Sequence, residues 1–394
     1  MPALNVTASF VSELLFPIPM DYSKTYNDLK SIFTDESKEI SIPGSKIKIY
    51  NIGFRSEMTQ SEFSNKYDSL IPENKSFSYP VFVPASIKSD KVILLLHGLN
   101  ERSWLKYLVW AFYLAQYTDS YVILFPISFH INRCPSSWKD PRAMVSFMKY
   151  RNSSLGNIDM SSFANIALSN RLTEDPMRFF NSGYQTTVDI CKLISGIRNG
   201  EHEIIPQTDK INIFAYSIGA FLAEIILMGN PGNQFTDSKL FIFCGGSVFS
   251  NMQGSSKLIM DRLAFNRVYN FYLNDFEETL NGKSPLTDFF CSSQIGMAFR
   301  AMIDLGRLKT FRENILKNLK GQIHSLSLLN DTVIPSKGVI STLRNSKKDN
   351  SVDIWDFPYD YTHENPFPIF NSSLSLKVDY WFEKVFTEAA LFLA

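Results

Sequence analysis

Short, largely apolar segments recur from residue 91 onward, and longer segments with a helical pattern separate them. A strand that is apolar on both faces is typical of a parallel sheet that helices cover on both sides. The sequence therefore predicts an α/β fold built on a mostly parallel sheet of about eight strands. The predicted buried strands are 91–96, 121–127, 211–216, 239–246, 324–329 and 352–357.

Two β-rich segments, 47–55 and 79–84, precede this pattern and are expected to form antiparallel edge strands. Residues 1–38 have a helical or irregular pattern and are assigned to an N-terminal extension, which leaves 39–394 for one α/β domain. Helices are predicted over 103–118, 175–199, 218–228, a short stretch after Pro335, and 374–393.

Two long segments, 128–174 and 247–320, interrupt the alternation of strands and helices. Neither contains a buried-strand pattern. Long excursions from a domain are usually lids or binding elements, so both segments are predicted to be insertions that cap the sheet.

Composition argues against several classes of partner. The 39 Lys and Arg residues balance the 39 Asp and Glu residues, so no nucleic-acid partner is expected. No apolar stretch reaches the roughly 18 residues that a transmembrane helix needs, so no membrane span is expected. The N-terminal residues lack the basic start of a signal peptide. The oligomeric state stays open.

The four cysteines are far apart and form no C-x-x-C pair. We therefore expect reduced thiols and a cytoplasmic location. The sequence also lacks a phosphate-binding P-loop, an H-E-x-x-H zinc motif and a dinucleotide-binding glycine pattern. No cofactor and no metal ion are expected.

The strongest local motif is Ala215-Tyr216-Ser217-Ile218-Gly219, which lies where a predicted strand passes directly into a helix. A nucleophilic serine on such a tight turn needs small residues two positions before and after it. Ala215 and Gly219 satisfy this demand, although Ala replaces the more usual Gly. The alternative is a serine that only caps the helix.

His97-Gly98-Leu99-Asn100 follows the strand 91–96. In a fold of this kind the loop after that strand supplies one N–H of an oxyanion hole, and the residue after the nucleophile supplies the other. The predicted donors are the backbone amides of Leu99 and Ile218. His97 is interpreted as a buried residue that braces the loop.

Asp331 and His363 complete a possible catalytic set, because each follows a predicted strand and the chain order is Ser, Asp, His. A serine hydroxyl is a poor nucleophile unless an imidazole accepts its proton and a carboxylate orients that imidazole. Asp353, Asp356 and Asp360 are alternative acids. The last two are so close to His363 in sequence that they are not expected to reach the far nitrogen of its ring.

Four segments, HGLNERSW (97–104), FPISFHINRCP (125–135), SSFANIALSNRL (161–172) and FAYSIGAFLAE (214–224), carry a further resemblance. With the residues above, the chain resembles the α/β-hydrolase superfamily over roughly 80–385. More closely, it resembles a family of bacterial α/β hydrolases of unknown function. The resemblance implies Ser217 as nucleophile, Asp331 as acid, His363 as base, and Leu99 and Ile218 as oxyanion donors.

Further substrate contacts are predicted at Tyr216 and Asn100, next to the two motifs. The 128–174 insertion follows a central strand, which is expected to bring His130, Asn132 and Arg133 near the pocket. The four arginines of this insertion are interpreted as an ordinary solvated basic surface, and an acidic group on the substrate is the alternative. These arginines are Arg133, Arg142, Arg151 and Arg171.

The predicted function is a serine hydrolase that cleaves an ester or similar acyl bond of a small molecule through an acyl-enzyme intermediate. The aromatic-rich composition favours an apolar acyl or aryl group. A peptidase or thioesterase of the same fold, and a binding protein without turnover, remain alternatives.

Overall fold

The computed structural model describes residues 20–57, 67–86, 89–344, 351–369 and 374–394. Nine strands form one sheet in the order β1-β2-β3-β5-β4-β6-β7-β8-β9. The strands are β1 (Glu39–Ser41), β2 (Lys48–Arg55), β3 (Ser76–Val83), β4 (Lys91–Leu96), β5 (Tyr121–Leu124), β6 (Lys210–Tyr216), β7 (Leu240–Phe243), β8 (Ile323–Leu328) and β9 (Val352–Trp355).

The six strands from β5 to β9 in this order are mutually parallel, whereas β1, β2 and β3 form an antiparallel edge and β3 pairs antiparallel with β5. The predicted α/β class and mostly parallel sheet are confirmed. The additional strand is β1, whose three residues are too few to show a strand pattern in the sequence.

Both faces of the central strand β4 are apolar because each packs on a separate core. Val92, Leu94 and Leu96 belong to one buried cluster, and Ile93 and Leu95 belong to the cluster on the opposite face. Side chains of a strand alternate between its two faces, so an unbroken apolar run is what a strand between two helical layers requires.

Helices cover both faces of the sheet. The helices are α1 (Tyr22–Ile32), α2 (Pro72–Lys75), α3 (Leu105–Thr118), α4 (Pro141–Leu155), α5 (Ile166–Glu174), α6 (Met177–Arg198), α7 (Ile218–Gly229), α8 (Arg262–Asn270), α9 (Phe276–Thr279), α10 (Pro285–Ser292), α11 (Gln294–Ala301), α12 (Lys309–Asn318), α13 (Ser336–Leu343) and α14 (Ser375–Leu393). A π-helical turn, Phe271–Asp275, joins α8 to α9. Residues of α1, α3 and α14 share one core cluster, and residues of α6 and α7 share the other.

Residues 20–38, the described part of the predicted N-terminal extension, include helix α1. Helix α1 is capped by the Asp21 side chain, and the Tyr22 amide donates to Asp379 of α14 at 3.0 Å. The extension therefore packs on the domain from α1 onward. Residues 1–19, which carry the expectation about a signal peptide, lie outside the described residues.

Helices make up most of both predicted insertions, with α4 and α5 in 128–174 and α8 to α12 in 247–320. The two segments contact each other directly. Arg151 of α4 forms a buried ion pair with Asp261, and the Arg262 amide donates to the Asp159 carbonyl at 3.0 Å.

Candidate active site

Ser217 occupies the sharp turn between β6 and α7. Its backbone has φ 58° and ψ −123°, a conformation that is strained for a residue with a Cβ. The turn is possible only because Gly219 lacks a side chain, since a Cβ there would lie 2.6 Å from the Leu96 carbonyl oxygen. The elbow therefore packs directly against the end of the neighbouring strand β4.

A continuous chain of hydrogen bonds joins Ser217, His363 and Asp331. The Ser217 Oγ lies 2.6 Å from Nε2 of His363, and Nδ1 of the same ring lies 2.7 Å from Asp331 Oδ2. The side chains of His363 and Asp331 are 2% and 1% exposed. In this orientation the imidazole can accept the serine proton while the carboxylate holds Nδ1–H.

Several contacts hold this chain in place. The second carboxylate oxygen of Asp331 accepts the backbone amides of Val333 and Ile334, each at 2.9 Å. Tyr216 donates its hydroxyl hydrogen to the His363 carbonyl, and its ring stacks on the imidazole with centroids 5.6 Å apart. Two backbone amides thus fix the Asp331 carboxylate, and Tyr216 fixes the His363 imidazole.

The alternative acids have other partners or face solvent. Asp353 lies 3.1 Å from Nε2 of His324. Asp356 accepts hydrogen bonds from the Asn330 side chain and the Tyr361 hydroxyl. Asp360 is exposed. Among these four carboxylates, the structure brings only Asp331 to His363.

The loop after β4 reaches the same point. Leu99, Ser217 and Ile218 line one cavity, and in the described part of the chain no acceptor takes the amide hydrogen of Leu99 or Ile218. Two free amides beside a serine can stabilise an oxyanion. His97 is fully buried, donates from Nδ1 to the Gly98 carbonyl at 2.7 Å and accepts the Ile127 amide at 2.9 Å.

Burial lowers the pKa of His97 to about 3, so the ring is neutral and can accept that amide. The histidine braces the loop through these two contacts, in line with its interpretation from the sequence.

Ser217 lines two spaces, which we name the entrance and the inner chamber, and a third space, the rear chamber, adjoins the inner chamber. The polar and charged residues of the entrance include Asn100, Glu101, Lys106, Tyr216, His363 and Glu364. The inner chamber has Ser217 on its wall and is otherwise apolar, with Met252, Ile259, Phe265, Val333 and Ile334 among its residues. The rear chamber lies beyond Leu99, Phe179 and Ile218, which line both chambers.

Asn100 and Glu364 tie the entrance to the second insertion. The Asn100 side-chain amide donates to the carbonyls of Ala164 and Leu258, at 2.8 and 2.7 Å. Glu364 accepts a hydrogen bond from the Ser256 hydroxyl. These two residues therefore position the segment around 256–258 over the entrance.

The structure corrects the prediction that Asn132 and Arg133 contact the substrate. The Arg133 guanidinium is fully buried, 2.7 Å from Asp189 and 3.0 Å from the Asn74 side chain. Burial lowers the pKa of Arg133 to about 10. Asn132 donates to the Ser78 carbonyl at 2.7 Å. Both side chains serve the packing of the segment after β5.

His130 lines the rear chamber but does not reach Ser217 through any described contact. Its Nδ1 donates to the Ser128 carbonyl at 2.9 Å, and its Nε2 has no hydrogen-bond partner among the described residues. Burial lowers the pKa of this ring to about 3. His130 therefore offers a neutral acceptor nitrogen away from the serine.

The basic bias of the first insertion is largely neutralised, because three of its arginines pair with buried carboxylates. The pairs are Arg133 with Asp189, Arg151 with Asp261 and Arg171 with Asp68. The three paired arginines therefore support neither a solvated basic surface nor an acidic substrate group.

Sequence reasoning missed most of the chamber walls, including Phe179, Glu364 and Lys106. Lys106 and Glu364 lie close to the loop and histidine motifs, so proximity in sequence was the available signal. Phe179 lies in a helix where it reads as an ordinary core residue, and nothing in the sequence marks it.

The parallel sheet, the serine elbow after β6 and the Ser, Asp, His order define an α/β-hydrolase-fold protein. The chain belongs to the family of unknown function DUF6051, whose model matches residues 20–394. The predicted relation to an α/β-hydrolase family of unknown function is confirmed. A search of curated sequences gives no match.

Three solved structures illustrate the likeness. A mutant of the esterase rPPE aligns with TM-score 0.48 and 11% identity over 98% of this chain and 96% of that chain. A thermostable esterase from Pseudomonas putida ECU1011 aligns with TM-score 0.47 and 11% identity over 96% and 91%. A lipase in its open form aligns with TM-score 0.42 and 13% identity over 87% and 99%.

Two further properties concern the described residues alone. Their His, Cys, Asp and Glu side chains form no group of three or more that could hold a metal ion. None of their helices has both the length and the apolar character needed to cross a membrane.

Proposed function

We propose that this protein is a serine hydrolase that cleaves esters of apolar acyl groups in small molecules. The observation that carries the proposal is the unbroken hydrogen-bond chain from the buried Asp331 carboxylate through His363 to Ser217 on its strained elbow. Strain of this kind persists where the surrounding structure enforces it, and it is concentrated at functional sites.

The proposed chemistry follows from the positions of these groups. Nε2 of His363 accepts the Ser217 proton as Oγ attacks the ester carbonyl, and Asp331 stabilises the imidazolium that forms. The amides of Leu99 and Ile218 bind the developing oxyanion. His363 returns the proton to the leaving alcohol, and water then hydrolyses the acyl-enzyme by the same steps.

The chambers suggest how a substrate is oriented. The apolar inner chamber suits the acyl group, because Ser217 lies on its wall. The leaving alcohol faces the entrance, which His363 also lines. The 128–174 and 247–320 insertions supply residues to these spaces, which supports their proposed role as a cap.

No cofactor takes part in this scheme, and the free thiols agree with the proposed cytoplasmic location.

Labelling with a fluorophosphonate tests the nucleophile, because the reagent modifies only an activated serine. We expect the wild-type protein to be labelled and Ser217→Ala to be unlabelled and inactive on esters. Ser103→Ala is the matched control, since Ser103 is exposed and lines the entrance but has no imidazole partner among the described residues. Retained activity in purified Ser217→Ala would overturn the proposal.

The same experiment separates the alternatives. A binding protein without turnover leaves Ser217 unlabelled. A labelled protein that prefers thioesters or peptides over matched oxygen esters is a thioesterase or peptidase, so a panel of the three bond types with one acyl group identifies the class.

A further inference from the structure

Phe179 of α6 lies between the inner chamber and the rear chamber. Together with Leu99 and Ile218 it lines both spaces. Leu99 and Ile218 belong to the proposed oxyanion loop and elbow. Phe179 is therefore the member of this shared wall that comes from outside the proposed catalytic loops.

The neighbours of Phe179 fit a partition between two spaces. Its ring centroid lies 5.5 Å from that of Phe249, which lines the inner chamber. Its ring centroid lies 6.1 Å from that of Phe221, which lines the rear chamber. Tyr272 packs on the same ring at 5.8 Å. Three aromatic contacts thus hold the Phe179 ring at the wall that the inner and rear chambers share.

The rear chamber is well suited to an apolar chain. Its enclosed and open parts together contain about 730 Å³ that no atom occupies, against about 440 Å³ for the inner chamber. Its wall includes Ile127, Leu168, Leu172, Leu222, Ile225 and Phe299. A long acyl chain would find favourable surface there if the passage were open.

We propose that Phe179 determines acyl-chain length by closing the inner chamber, so that the substrates are esters of short apolar acids. This inference rests on the proposed function, because it assigns the inner chamber to the acyl group of the proposed serine hydrolase. Phe179 acts through shape alone, and the atoms that react do not touch it. Replacing the ring by a smaller side chain joins the two chambers and admits longer chains.

The test is kcat/KM for p-nitrophenyl acetate, butyrate, hexanoate and decanoate. Wild type is expected to prefer butyrate or hexanoate over decanoate. Phe179→Ala should raise kcat/KM for decanoate about tenfold or more, since one methylene in an apolar pocket is worth about 10-fold or more in discrimination. The deciding quantity is the ratio of kcat/KM for decanoate to kcat/KM for acetate, because a general loss of activity does not raise this ratio. Phe179→Leu, which preserves more packing, should give a smaller change in the same direction.

Gly183→Leu provides the matched control, because Gly183 of α6 lines the rear chamber and not the inner one. A Cβ there would have only ordinary contact, 3.7 Å from Leu222. With Phe179 present this substitution should leave the chain-length profile unchanged. In the Phe179→Ala background it should narrow the rear chamber and reduce the gain for decanoate.

The outcomes distinguish a failure of the proposed role of Phe179 from a failure of the proposed function. Turnover of the esters with a chain-length profile that Phe179→Ala and Phe179→Leu do not change overturns the role of Phe179 and leaves the proposed function standing. A wild-type preference for decanoate overturns it as well. Absence of both ester turnover and fluorophosphonate labelling overturns the proposed function, and this inference with it.

Discussion

At the scale of single residues, Asp331 has two structural roles at once. One carboxylate oxygen accepts two backbone amides of the turn that follows β8, and the other accepts Nδ1–H of His363. The first pair of bonds fixes the direction of the second oxygen. A carboxylate held in this way orients the imidazole without moving itself, which is what the proposed proton transfer requires.

Asp331→Asn is therefore expected to lower kcat by up to ~10⁴, the effect of the comparable change in a well-studied serine protease, while the fold is kept. The amide nitrogen of Asn cannot accept the Nδ1 hydrogen, so the ring adopts the wrong tautomer. The measurement is kcat on a working ester, with a melting curve for each variant.

The controls for Asp331 are Asp353→Asn, Asp356→Asn and Asp360→Asn, which should each change kcat by only a few-fold. Asp353 and Asp356 are bound to other partners and Asp360 is exposed. A collapse of activity in one of them, with Asp331→Asn nearly unaffected, would show that the acid is another residue.

At the scale of elements, the β6–α7 junction depends on how closely α7 approaches β4. Leu96 of β4 pairs in register with Ala215 of β6, so the end of β4 lies beside the elbow. The first turn of α7 then meets the carbonyls of Leu96 and His97 at Gly219. The helix can begin directly after Ser217 only while that position has no side chain.

Gly219→Ala is expected to displace the elbow, because the new Cβ would lie 2.6 Å from one backbone carbonyl and 2.7 Å from the next. Backbone atoms at the end of a central strand have little freedom to move. A shift of about 1 Å in the nucleophile can lower the rate about 10²-fold, and kcat is expected to fall by at least this factor.

Gly53→Ala in β2 is the control for this substitution, since a Cβ there meets nothing within 4 Å. It should leave kcat and the melting temperature nearly unchanged. Normal activity and labelling of Ser217 in Gly219→Ala would contradict the close approach of α7 to β4.

At the scale of the whole molecule, the segments 128–174 and 247–320 contact each other directly and pack as one unit. The Ser162 hydroxyl donates to the Lys257 carbonyl, and the Asn165 side chain donates to the carbonyls of Met160 and Ser256. The buried ion pair of Arg151 and Asp261 lies between the same segments. The two segments are thus joined by residues that are as much as 110 positions apart in sequence.

Arg151→Met is expected to destabilise the protein by about 3–5 kcal/mol, because it leaves the Asp261 carboxylate buried without its counter-charge. The measurement is the free energy of unfolding in denaturant. Arg262→Met is the matched control: Arg262 forms an ion pair with Asp159 in which both side chains are 46% exposed or more. Exposed pairs contribute at most about 1 kcal/mol. Equal losses in the free energy of unfolding for the two substitutions would contradict a buried ion pair between Arg151 and Asp261.

Sequence patterns were enough to predict the α/β class, the parallel strands, and Ser217, Asp331 and His363 as residues that meet at the candidate site. These follow from short-range rules, because a strand apolar on both faces, a small-residue elbow and an Asp or His just past a strand each need only local spacing. The carboxyl ends of parallel strands share one edge of the sheet, so Ser217, Asp331 and His363 converge there regardless of the insertions.

The surroundings of these residues could not be predicted from local patterns. Whether Arg133 faces a substrate or a buried Asp189 depends on α6, because that carboxylate lies 56 residues further along the chain. The position of Phe179 between two chambers depends in the same way on its contacts with Phe221 of α7 and with Phe249 of the second insertion. Such contacts are set by packing between distant segments, and no local pattern of residues encodes that packing.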